Sequence, residues 1–171
     1  MQITRYLKPE VVRLGMMSGH VDTMDPEKEP ARERQRLKEE VIEELTDVFM
    51  NTGQIRNRNK FHHDLLSRER KASTAIGGGL ALPHVRSMQP RNFCMIFVRS
   101  RDGVEYGSPD GEPVHVLFGM AAPSYDDRMS NEYLQVYKWI ARAFKEEAWL
   151  QSALLAAEDE HEIIGILAGL D

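Results

Sequence analysis

A run of six apolar residues, Phe93-Cys94-Met95-Ile96-Phe97-Val98, constrains the fold of this chain more than any other stretch. It has the length of a strand and no polar face, so it belongs in a sheet covered on both sides. A second run, Val114 to Met120, reads the same way. The cover has to come from amphipathic helices. Leu37, Val41, Ile42, Leu45, Val48 and Phe49 recur on one helical face, which predicts a helix over 32–51 that Gly53 stops. A second helix is predicted from about 59 to 71, with Phe61, Leu65 and Leu66 facing inward. Near the end, 131–145 aligns Leu134, Tyr137, Ile140, Ala141 and Phe144, and 148–157 carries Trp149, Leu150, Leu154 and Leu155. Asp159-Glu160-His161-Glu162 has the spacing of an N-cap and its reciprocal glutamate, and opens a last helix with Ile163, Ile164 and Leu167. Val11 to Met16 reads as a short first strand, and Val104-Glu105-Tyr106 as an edge piece between turn signals at Asp102-Gly103 and Asp110-Gly111. Strand, two helices, strands, three helices is the order of an α+β chain, a mixed sheet flanked by helices in an α/β/α arrangement, and not of an alternating doubly wound unit.

A length of 171 residues predicts a single domain over 1–171, able to bury roughly two-thirds of its unfolded surface. Between Met17 and Ala31 the periodicity fails, and Gly19, Pro26 and Pro30 among charges predict a surface loop with freedom to move. With 22 Lys and Arg against 27 Asp and Glu the net charge is −5, which excludes a chain that binds nucleic acid or anionic lipid through its overall charge. No apolar run approaches a membrane span, and Met1 to Arg5 lacks the apolar block of a secretory leader. Cys94, the only cysteine, lies inside an apolar run, which predicts an inert buried thiol and fits a cytoplasmic, reducing location.

The chemistry centres on Ile76-Gly77-Gly78-Gly79-Leu80-Ala81-Leu82-Pro83-His84. Three glycines leave backbone amides free to approach an anion, and the stiff run behind them delivers one imidazole. Histidine is nucleophilic in its neutral form near neutral pH, and phosphoryl transfer needs chiefly positioned donors on the phosphoryl oxygens. Ser73, Thr74, Arg68 and the amides of Gly77, Gly78 and Gly79 are the candidate donors. On its own the pattern also fits an ordinary tight turn followed by a structural histidine. No Gly-Lys-Ser/Thr ending follows, so a Walker nucleotide site is excluded. His62-His63-Asp64 lacks ligand spacing for a metal, because adjacent helical residues point apart. His115 reads as a hydrogen-bonded strand residue, and His20 and His161 as exposed.

Taken together, Arg68-Glu69, four intervening residues and Thr74-Ala75-Ile76-Gly77-Gly78-Gly79-Leu80-Ala81-Leu82-Pro83-His84 closely resemble the active-site signature of enzyme IIA domains of the bacterial phosphotransferase system, fructose/mannitol type, including the nitrogen-regulatory branch. The resemblance extends from about Glu33 to the C-terminus and takes in Leu7-Lys8-Pro9-Glu10, with 17–31 resembling an insertion. It implies that His84 accepts a phosphoryl group from the small carrier HPr, that Arg68 binds the phosphoryl oxygens, that Glu69 holds local structure and that the glycine amides shape the pocket. It implies a phosphoryl carrier that regulates partner proteins, with a separate IIB protein as a further partner, and neither a metal ion nor a cofactor. Two positions depart from the family pattern. Tyr133 stands where members that pass phosphate onward carry a second histidine, and Val85, where a small residue is usual, would narrow a partner's approach. In that direction lies the alternative, a non-catalytic interaction module of the same fold, similar to the cytoplasmic domain of anion exchangers.

Overall fold

Residues 1–171 are described by a computed structural model in which both apolar runs are neighbouring strands of one six-stranded mixed sheet. The strands are β1 (Val12–Arg13), β2 (Ala75–Gly77), β3 (Leu80–Ala81), β4 (His84–Ser87), β5 (Cys94–Val104) and β6 (Val114–Pro123). The helices are α1 (Pro30–Met50), α2 (Arg58–Lys71), α3 (Asp127–Glu146), α4 (Leu150–Ala156) and α5 (Glu160–Ala168). The order across the sheet is β1-β5-β6-β3-β2, and β4 also pairs with β6. β5 and β6 are antiparallel, whereas β1 on β5, and β3 and β4 on β6, are parallel.

Alternation along the two long strands sorts their side chains between two helical layers. Phe97 lies opposite Phe118 at 5.1 Å between ring centroids, and Phe118 meets Phe144 of α3 at 5.9 Å. On the other face Ile96 lies opposite Gly119, where a Cβ would stand 2.6 Å from Ile96 Cγ1 and 2.9 Å from Phe49 Cζ of α1. The missing side chain at Gly119 is what lets α1 seat directly on the sheet. Phe49 stacks edge-on against Phe61 of α2, joining α1 and α2 in one layer. The helices α3, α4 and α5 make the other, and the α/β/α expectation holds.

Several local expectations are corrected. The first strand shrinks from 11–16 to Val12–Arg13, because Pro9, which has no N–H for a ladder, starts a 3-10 turn through Val11. The segment 17–31 does not hang free. Glu44, only 7% exposed on α1, accepts the amides of Met17 at 3.0 Å and Ser18 at 2.9 Å, and Glu33 takes that of Asp25 at 2.9 Å. Gly19, at φ +79°, passes so close to Val41 that a side chain there has no room. The helix α1 accordingly begins at Pro30, a proline that suits its first turn. Val104 ends β5 opposite Val114, and Tyr106 is buried, so 104–106 makes no separate edge piece. Leu134 and Trp149 are exposed; α3 buries Val136 and Ile140, and Leu134 lies about 200° round the helix from Val136. Asp159 caps the amide of Glu162 at 2.8 Å, but the Glu162 carboxylate returns to the amide of Glu158. His20 is half-buried and bonded to the Met16 carbonyl at 2.9 Å. No helix is long and apolar enough to cross a membrane.

Candidate functional site

The strands β3 and β4 lie end to end along one edge of β6, against Val116–Leu117 and Met120–Pro123. Pro83 separates them; it lacks an N–H, and its carbonyl accepts from the Met120 amide at 2.8 Å. His84 therefore opens a strand that pairs only with β6, and its half-buried imidazole stands at an open sheet edge. Nδ1 is 2.6 Å from the Leu82 carbonyl, an oxygen that can only accept. The ring proton is thus on Nδ1, and the Nε2 lone pair is free to act.

That lone pair faces Arg68, whose Nη2 donates to Nε2 at 3.0 Å. Arg68 sits in the last turn of α2, and its Nη1 donates to the Ala72 carbonyl at 3.0 Å, which fixes the guanidinium plane. From α3, Tyr133 and Tyr137 pack on the imidazole at 5.4 and 5.7 Å between centroids. Burial lowers the pKa of His84; the Leu82 carbonyl opposes the shift, the Arg68 charge adds to it and Glu69 opposes it. The neutral form therefore dominates at neutral pH. Burial also lifts the Tyr133 phenol to about 12, so it stays a neutral hydrogen-bond donor.

A pH dependence follows from the His84 shift. An unfolded histidine titrates near 6.5, above the folded group. Its contribution to stability is therefore whole above about 6.5 and is lost as the pH falls through the lowered folded value. Following the His84 ring protons by NMR should place the midpoint below about 6.5, and any phosphoryl uptake should stay flat above that pH and fall along the same curve. A midpoint above it would mean that burial does not govern the ring.

In front of Nε2 is an open cleft of about 530 Å³ lined by Ser67, Arg68, Lys71, Arg86, Ser124 and Tyr133, among others. A larger cavity of about 860 Å³ lies elsewhere, beside His20, Arg34, Asp102 and Glu105. His20 there is engaged by the Met16 carbonyl, so the chemistry marks the smaller cleft.

Of the residues singled out in the sequence as donors or partners of the phosphoryl group, Arg68, His84 and Tyr133 come together, with Val85 beside them, and the others do not. Thr74 is buried, with its amide and hydroxyl on Glu69 at 2.8 and 2.6 Å. Lys38 reaches the same carboxylate at 3.0 Å, so Glu69 and Thr74 fix the turn from α2 into β2. Ser73 turns away to the Tyr106 carbonyl. Gly77, Gly78 and Gly79 form the β2–β3 hairpin at φ of 89°, 63° and 80°, a run of positive values that L side chains rarely adopt. The Gly78 amide binds Asp110 at 2.9 Å, and none of the three glycines lines the cleft. The expected anion cradle is instead a hinge that lays the chain along β6 and delivers His84. Val85 is 4% exposed and packs into the core, with an edge that lines the cleft beside His84. His62 pairs with Glu43, and no three His, Cys, Asp or Glu side chains are grouped to hold a metal. Sequence reasoning overlooked Arg86, Ser124 and the contact of Tyr137; only Arg86 had a local signal, the period of two that gives it the same side of β4 as His84.

The chain that builds this site is similar to proteins of one known family. The family described as the phosphoenolpyruvate-dependent sugar phosphotransferase system, EIIA 2, matches residues 31–169, and the chain belongs to it. It is 35% identical over 130 residues to the fructose-specific EIIABC component of Bacillus subtilis, covering 76% of this chain but only 20% of that longer protein. It is 29% identical over 132 residues to a nitrogen regulatory protein of Bradyrhizobium diazoefficiens, covering 77% of this chain and 82% of the relative. The crystal structure of the nitrogen regulatory protein IIA-Ntr from Neisseria meningitidis has the same fold, with a TM-score of 0.76 at 23% identity over 98% of this chain and 99% of that one. Mannitol IIA from Escherichia coli in complex with phosphorylated mannitol IIB also shares it, with a TM-score of 0.69 at 20% identity over 95% of this chain and 97% of that one.

Proposed function

We propose that this chain is a phosphohistidine carrier of the IIA type that acts in the cytoplasm, takes a phosphoryl group from the phosphohistidine of HPr onto Nε2 of His84, and regulates partner proteins according to its phosphorylation state. The observation that carries this reading is the pair of contacts on one ring, Nδ1 on the Leu82 carbonyl and Nε2 under Arg68. In the transfer the Nε2 lone pair forms a bond to phosphorus as the phosphorus–nitrogen bond of the donor breaks. The donor imidazole, protonated on its other nitrogen, keeps that electron pair and leaves neutral, while the His84 ring keeps its Nδ1 proton on the Leu82 carbonyl and takes up the positive charge. Arg68 turns its Nη2 from the nitrogen to a phosphoryl oxygen, a charge-assisted bond that strengthens as the group arrives.

A module that had lost the chemistry would have no need of an arginine aimed at the one free imidazole nitrogen, and this favours the carrier over the interaction-only alternative. The regulatory side rests on likeness to proteins named nitrogen regulatory, and a IIB partner on the mannitol complex. The test is incubation with phosphoenolpyruvate, enzyme I and HPr. The chain should acquire a phosphoryl group stable in alkali and labile in acid, as a phosphoramidate is; no label would sink the proposal.

Tyr133 has a part of its own. Its hydroxyl has no protein partner and lines the cleft, which leaves it free to donate to a phosphoryl oxygen. Tyr133→Phe should slow transfer by roughly 5- to 10-fold, the worth of one hydrogen bond, with the thermal midpoint unchanged. A rate equal to wild type would show the hydroxyl to be idle.

A further inference from the structure

Arg86 stands two residues beyond His84 on β4, and Val85 and Ser87, which alternate with them, are buried. The side chains of His84 and Arg86 thus share one side of the strand and line the same cleft, whose other wall carries Arg68. Arg86 is not a loose surface cation. Its Nη2 donates to the Ser124 carbonyl at 3.2 Å and lies 3.4 Å from Asp127 Oδ1, which ties it to the connection from β6 into α3. Asp127 is 98% exposed, so this pair is screened by water and leaves the guanidinium charge largely uncompensated. Its Nε and Nη1 have no protein acceptor. The Tyr133 phenol registers both guanidiniums, since the charges of Arg68 and Arg86 each draw its pKa down against burial. Three elements, α2, β4 and α3, therefore bring donors to one space in front of Nε2.

A phosphoryl group on His84 brings close to two negative charges on three oxygens. Arg68, with Nη1 held by Ala72, has Nη2 to offer and a single positive charge. Tyr133 adds a donor but no charge. Lys71 lines the cleft too, yet it is exposed, makes no ion pair and rises from the same helix as Arg68. Arg86 comes from a different element and is already held by Ser124 and Asp127. We infer that Arg86 is the second phosphoryl-binding cation of this site, taking the oxygens that Arg68 leaves uncovered. The assignment rests on the carrier reading above, and it accounts for how a chain with tyrosine at position 133 still meets the charge of the group. No covalent bond to Arg86 forms or breaks; its Nε and Nη1 hydrogens donate as the phosphoryl group passes to Nε2.

The experiment is single-turnover transfer from phosphorylated HPr to wild type, Arg86→Gln, Arg86→Lys and Lys71→Gln, with thermal unfolding of each. Arg86→Gln should lose about 100-fold in rate at saturating donor, with little change in the donor concentration at half-maximal rate and a thermal midpoint near wild type. Arg86→Lys should keep the rate within roughly 10-fold of wild type, because the charge remains while the planar fork is lost. Lys71→Gln should transfer almost normally. An Arg86→Gln chain that transfers as fast as a labelled wild type, or a Lys71→Gln chain that loses more, overturns this assignment and leaves the carrier reading standing. A wild type that takes no label overturns both.

Discussion

His84→Ala is expected to take no phosphoryl label from phosphoenolpyruvate, enzyme I and HPr under conditions that label wild type fully. The cleft holds no second nucleophile of comparable readiness. Ser67 and Ser124 line it as plain hydroxyls, Ser87 is buried at its wall with its hydroxyl donating to Asp64, and the only histidine lining it is His84 itself. An unactivated serine hydroxyl is a weak nucleophile at its ordinary pKa, so the loss should exceed about 10⁴-fold. The fold should survive, because the imidazole is half-buried at a sheet edge and its removal sacrifices contacts to two tyrosines and the hydrogen bonds to Leu82 and Arg68. A stability loss of about 1–2 kcal/mol is the expected order for such a site. Thermal unfolding alongside the assay separates lost chemistry from lost structure. Equal labelling of the two chains would move the acceptor away from His84.

How legible this was in the sequence differs by element. The strands β5 and β6 were readable because each is a continuous apolar run, and the helices because their buried residues recur with a helical period. The strands β2, β3 and β4 hold three, two and four residues, too few to be recognised as strands in the sequence, and glycine and proline punctuate them. Arg68 was one of several candidate donors in the sequence, and its pairing with His84 was singled out only through resemblance, since fifteen residues of chain, a hairpin among them, lie between the two. The glycines misled for a physical reason. Free amides and positive φ are shared by anion nests and tight hairpins, and only the position of Asp110 relative to Gly78 tells one from the other. The anchoring of the surface loop 17–31 was hidden for another reason. Its anchors, Glu33 and Glu44, are carboxylates on a helix whose other acidic residues face water, and no local pattern distinguishes the ones that turn inward.

The same blind spot hid Arg99, and there the expected effect on stability is the largest in the molecule. Arg99 lies in β5 at 3% exposure, in a run that the sequence reading ended at Val98. No carboxylate faces it. Its Nε donates to the Leu14 carbonyl at 3.0 Å, and its Nη1 to those of Leu154 at 3.0 Å and Ala157 at 2.6 Å. The latter two carbonyls belong to the C-terminal end of α4, where carbonyls lack helical partners and the helix dipole is negative. The guanidinium thus joins β5 to α4 and to the chain that follows β1. Arg99→Met fills most of the volume and removes the guanidinium donors, stripping the carbonyls of Leu14 and Leu154 and leaving that of Ala157 to Arg101 alone. At about 1–3 kcal/mol for each unsatisfied group, with some recovered by water, the loss should come to roughly 3–5 kcal/mol. Urea unfolding should show a lower midpoint at an unchanged slope, since the surface exposed on unfolding stays the same. Arg101 bonds the same Ala157 carbonyl and that of Leu155, but from an exposed position, so Arg101→Gln should cost less than about 1 kcal/mol. If the two variants were equally destabilised, the buried clamp would not be what holds α4 to the sheet. Arg99 lines no part of the cleft at His84, so under conditions where Arg99→Met remains folded it should still take label, as a fault where α4 meets β5 should cost stability and not chemistry.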